Sequence, residues 1–105
     1  MTIRQMKNFY FALLHSLGIT QRKLRDIAPE TAETYFQTLS LSQLVEAGII
    51  FDTATRIVDK KTQKLVEGVE HVLEKMHIHV IHRDDEGFPS LLRELPDCPT
   101  ILYVR

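Results

Sequence analysis

"GFPSLLRELPDCPTILYVR", residues 87–105, decides how this chain is read. Pro89 suits the first turn of a short helix over "FPSLLREL", because a proline there gives up no helical hydrogen bond. Pro96 and Pro99 bound a loop, and "TILYVR" is rich in β-formers, which predicts a strand reaching Arg105. Just upstream, "HIHVIHR" (77–83) sets β-branched Ile78, Val80 and Ile81 among histidines. Too short for a helix and followed by the acidic turn "DDEG", it predicts another strand. The order strand, helix, strand points to a parallel βαβ edge. Such an edge leaves backbone groups of "TILYVR", and the Ile101 and Tyr103 side chains, in need of cover. Either this strand pairs with "HVIHR" or it associates with a second copy.

Upstream the period changes from two to that of a helix. Met6, Phe9, Leu13 and Leu17 predict a helix from Ile3 to Leu17, closed by Gly18. Thr20 can cap a second helix carrying Leu24, Ile27 and Ala28, which Pro29 stops. Thr31 starts "TAETYFQTL", with Ala32, Tyr35, Phe36 and Leu39 on one face. "SLSQLVEAG" holds a capping box at Ser40 and Gln43 and ends at Gly48. Asp52 is expected to cap the next element, where Ala54, Ile57 and Val58 face one way. Leu65, Val69, Val72, Leu73 and Met76 continue the pattern, either in one long helix or in two with a break near Lys60 to Gln63. The expected architecture is mainly α: five or six helices, then βαβ.

The chain has 105 residues, 44% of them hydrophobic, enough for one compact domain or a domain plus a fragment. Its single cysteine, Cys98, can form no internal disulfide, which favours a reducing cytoplasm, and nothing beside it activates the thiol. Arg4, Lys7 and "FYFALL" superficially imitate a signal peptide. His15, Ser16 and Gly18 interrupt that run, and no stretch approaches the roughly 18 apolar residues of a membrane span. Net charge is −1, but residues 1–66 hold nine Lys or Arg against six Asp or Glu, and residues 67–105 hold four against eight. The first part is therefore +3 and the second −4. That split marks two units, 1–66 and 67–105, with any anion-facing surface on the first.

"LGITQRKL" has the form of a helix–hairpin–helix turn, in which backbone amides point at a nucleic-acid phosphate. The DNA-contact candidates are Gly18, Thr20, Arg22, Lys23 and Arg25. Thr20 stands where such a turn usually carries a second glycine, and its Cβ hinders close approach; the plain alternative is an interhelical turn with a solvated basic edge. In "HIHVIH", His77 and His79 would share one strand face, but two imidazoles without further ligands do not make a metal site. His82, Asp84, Asp85 and Glu86 read as a solvated turn rather than an acid–base centre. No G-x-G-x-x-G, Walker loop or G-x-S-x-G elbow is present, so no catalysis and no cofactor is expected.

The stretch "EKMHIHVIHRDDEGFPSLLRELPDCPTILYVR" resembles the start of the Rossmann-like domain in the DNA-processing protein A family (DprA, or Smf). The match rests on Pro89, Leu92, Arg93, Leu95, Pro99, Leu102, Tyr103 and Arg105, with Phe88 where a tyrosine is commoner. "LLHSLGITQRKL" and "LSLSQLVEAG" match more loosely the sterile-alpha-motif (SAM) or helix–hairpin–helix helices with which that family begins. The resemblance implies that the chain is the N-terminal portion of a longer protein, with a SAM-like or helix–hairpin–helix-like domain followed by the βαβ start of a Rossmann-like domain. It further implies single-stranded DNA as partner, loading of the RecA recombinase in natural transformation, and no enzymatic turnover. The main DNA pocket of the family lies beyond the position of Arg105. The helical part is then an accessory module making weak phosphate contacts or offering a surface to a protein partner. Two other classes stay open: a protein-interaction module without nucleic-acid contact, and the start of a Rossmann-type nucleotide-handling enzyme.

Overall fold

A computed structural model describes residues 3–60 and 63–105, with side chains from Gln5 onward. The protein is mainly helical with a small two-stranded antiparallel sheet. In order come α1 (Ile3–Ser16), α2 (Gln21–Leu24), a 3₁₀ turn (Pro29–Thr31), α3 (Ala32–Gln37), α4 (Leu41–Glu46), α5 (Phe51–Lys60) and α6 (Gln63–Lys75). β1 (His79–His82), α7 (Ser90–Arg93) and β2 (Ile101–Val104) follow.

Helix α1 is the centre. The sequence pattern shows one stripe on it, but the structure buries Asn8, Phe9, Phe11, Ala12, Leu13, Leu14 and Leu17 and leaves Met6 exposed. The extra buried positions arise because α3 and the 3₁₀ turn pack on α1 and the sheet also packs on it. Phe11, Leu14, Leu24, Leu44, Ile57 and Ile101 belong to one apolar cluster. Each fully buried side chain of this size contributes about 1.5–3 kcal/mol.

Three helices stop in the same way. Ile19 N donates to Leu14 O (3.1 Å), Ile49 N to Leu44 O (3.0 Å) and Ile78 N to Leu73 O (2.8 Å), the reach-back bond of a Schellman end. The residue before each isoleucine has positive φ: Gly18 at 115°, Gly48 at 95° and His77 at 54°. The capping box forms as expected, with Gln43 N donating to Ser40 Oγ (3.3 Å) and Ser40 N to Gln43 Oε1 (2.9 Å). Asp52, expected as a cap, instead lies in the first turn of α5. The question of a break near Lys60 to Gln63 falls on residues 61 and 62, outside the described residues; α5 and α6 are given on either side of them.

The parallel βαβ expectation is corrected. β1 and β2 are antiparallel, with His79 opposite Val104 and His82 opposite Ile101. A parallel return needs a crossover of about a dozen residues or more, usually a full helix lying over the sheet. α7 has four residues, roughly one turn or 6 Å, and cannot run back along a strand of about 13 Å. The alternative expectation, pairing with "HVIHR", describes what is found. Neither outer edge is bare. Gln21 covers Ile101 on β2, and Asn8 Nδ2 donates to Val80 O (3.0 Å) on β1. The expected unit boundary after Val66 falls inside α6, and Ile101 of β2 shares the cluster formed by α1.

Candidate nucleic-acid interface

The basic candidates gather around two glycine turns. α2 is only four residues long, and Thr20 caps it, its Oγ1 accepting from Lys23 N (3.2 Å). That bond consumes an amide the phosphate reading would aim at an anion. What the turn presents is therefore side-chain charge. Arg22 and Arg25 are exposed, while Lys23 lies 3.6 Å from Asp26.

The two turns are linked reciprocally. Lys23 Nζ, just after the Gly18 turn, lies 2.6 Å from where a Cβ on Gly48 would sit. Arg56 Nη1, on the helix after the Gly48 turn, lies 2.7 Å from where a Cβ on Gly18 would sit and donates to Leu17 O (3.0 Å). Each cation covers the carbonyl end of the other hairpin's first helix, where positive charge is favoured. Lys23 and Arg56 thus tie the two turns together, while Arg22 and Arg25 are exposed on and just after α2. Arg56 is absent from the sequence-based candidates because its charge sits 38 positions from Gly18, and nothing local in the sequence announces the contact.

Most of the residues carrying the family resemblance have structural surroundings. Arg93 Nε donates to Arg83 O (2.6 Å), a second guanidinium nitrogen donates to Asp85 O, and the guanidinium lies over the Phe88 ring. It ties α7 to the loop after β1. Pro89 precedes α7 as its cap residue, and Phe88 is buried. Cys98 is buried, donating from Sγ to Pro99 O (3.3 Å). Leu102 is half-buried, and Arg105 is exposed. Tyr103 Oη lies 2.9 Å from His15 Nδ1; burial raises the phenol above its ordinary value, so it keeps its proton.

The histidines separate. His77 is not in the strand: it occupies the positive-φ position ending α6, and only His79 of the expected pair lies on β1. Among the described residues no three His, Cys, Asp or Glu side chains come together as a metal site. His82 is buried against Phe11, with ring centres 4.9 Å apart, and its Nδ1 accepts from Asp84 N (3.1 Å). Burial lowers its pKa below 6.5, opposed by Asp84 and Asp85 and helped by Arg83. This group is a neutral packing residue. Among the described residues no helix is long and apolar enough to cross a membrane.

No family model, curated protein or solved structure matches this chain.

Proposed function

We propose that the chain is the N-terminal module of a DprA-like single-stranded-DNA-binding protein, acting in the cytoplasm without turnover, in a protein that protects DNA and loads RecA. In this reading residues 1–66 form a SAM-like or helix–hairpin–helix-like unit, and residues 67–105 lead into a Rossmann-like unit. The family part of the proposal rests on the motif from Phe88 to Arg105. The observation that carries DNA contact is the placing of Lys23 at the Gly48 turn and Arg56 at the Gly18 turn, with Arg22 and Arg25 exposed beside Lys23 in the sequence. Exposed guanidinium groups suit sequence-independent contact with phosphates. A salt-dependent oligonucleotide titration tests it.

A second reading, a protein-interaction module, draws on a different observation. α6 buries none of its side chains fully and leaves Val72 54% exposed, while Leu91 on α7 is 78% exposed. A module that shows no affinity for oligonucleotide at low salt takes this second reading.

A further inference from the structure

A cavity of about 540 Å³ opens between the first half of α1, the end of α6 and β1. Its volume falls within the range of about 300–1,000 Å³ typical of small-molecule sites. Phe9, Leu73, Ile78 and Val80 give it an apolar floor, and Glu70, Glu74 and Asp85 bring carboxylates to its wall. Among the described residues no Lys or Arg lines it.

Asn8 sets the chemistry. It is only 6% exposed and lines the cavity. Its Nδ2 donates to Val80 O (3.0 Å) and to Asp85 Oδ2 (2.8 Å), which fixes the orientation of the amide. Oδ1 then accepts no hydrogen bond among the described residues, an open acceptor on a largely buried side chain. His77 adds to the wall. At the other two Schellman ends the positive-φ residue is glycine, whereas here the chain places an imidazole at φ 54°.

We propose that this cavity binds a primary alkylammonium group on a short aliphatic stem. The apolar floor takes the methylenes, while Asn8 Oδ1 and the carboxylates of Glu70 and Glu74 receive the three ammonium hydrogens. An anionic ligand would meet the carboxylates of Glu70 and Glu74, and a purely apolar ligand would leave the Asn8 oxygen without a partner. Its carboxylates come from the acidic part of the chain, and the site is independent of the DNA reading.

The test is a titration of the whole chain with putrescine, a four-carbon diamine, followed by two-dimensional amide NMR, with butanediol as the uncharged control. Saturable shifts at Asn8, Phe9, Leu73 and His77 to Val80, absent with the diol, support the site. The double variant Glu70→Gln, Glu74→Gln, at a half-buried and an exposed position of α6, should bind at least about tenfold more weakly, as expected for lost charge-assisted contacts. Nα-acetyl-lysine methylamide, run in parallel, separates the sources: equal or tighter binding than putrescine indicates a lysine side chain, weaker binding a free amine, and either supports the site. Shifts of equal size around Glu94 and Asp97, the same shifts with butanediol, an unaltered double variant, or no saturable shift at all would overturn it.

Discussion

Gln21 grips Ile101 by both of its backbone groups: Nε2 donates to Ile101 O at 3.0 Å, and Oε1 accepts from Ile101 N at 3.0 Å. A side-chain amide carries the same donor and acceptor as a peptide, so Gln21 stands in for a neighbouring strand along the edge of β2. Oε1 also accepts from Thr100 N (2.9 Å), and the Thr100 hydroxyl donates to Gln21 O (2.6 Å). Because Thr100 and Ile101 are buried, Gln21→Ala leaves buried backbone groups without partners, and the expected cost is about 3 kcal/mol. Urea denaturation measures it. A loss no larger than that of an ordinary surface substitution would show that water replaces the amide freely.

Gly18 and Gly68 should respond in opposite directions to alanine. At Gly18 a Cβ meets Arg56 Nη1 at 2.7 Å and Thr53 Oγ1 at 3.3 Å, with φ at 115°. Gly18→Ala is expected to destabilise by about 1–3 kcal/mol. Gly68 lies within α6 with nothing within 4 Å of a built Cβ, so Gly68→Ala should stabilise by up to about 1 kcal/mol through helix propensity. Thermal melts of the two variants check the pair of signs.

His82 makes stability depend on pH. Its folded pKa lies below 6.5 because burial disfavours the imidazolium, so the unfolded chain takes up the proton first as pH falls. The stabilisation is therefore fully present above about pH 6.5 and is lost as pH drops through that value towards the lower folded pKa. Melting temperature should decline between about pH 7 and pH 5, and His82→Gln should flatten that part of the profile. An identical slope in the variant would place the dependence on another group.

The helical half is legible in the sequence because its signals are local. Leu14–Ile19 and Leu44–Ile49 share the pattern Leu-x-x-x-Gly-Ile, and the Ser40–Gln43 box declares its own start. Leu73–Ile78 repeats the pattern with His77 in the glycine's place, so the turn is hidden and the residues read as a strand. The strand direction is missed because it depends on how far α7 can reach and on two distant side-chain amides, Asn8 and Gln21, that cover the edges. One of the four cations is missed for the same reason: Arg22, Lys23 and Arg25 lie close together in the sequence, but Arg56 comes to the Gly18 turn only through the fold.

Nucleic-acid contact by the basic turns is tested most directly by titrating the full chain with a fluorescently labelled single-stranded oligonucleotide across a range of salt concentrations. The account predicts measurable affinity at low salt that falls as salt rises. Arg22→Ala with Arg25→Ala should weaken it and flatten the log–log slope by about 1.4, the contribution of two lost phosphate contacts at roughly 0.7 each. The helical circular-dichroism signal should be unchanged. Absence of binding at low salt, or binding indifferent both to salt and to the double variant, would contradict the account.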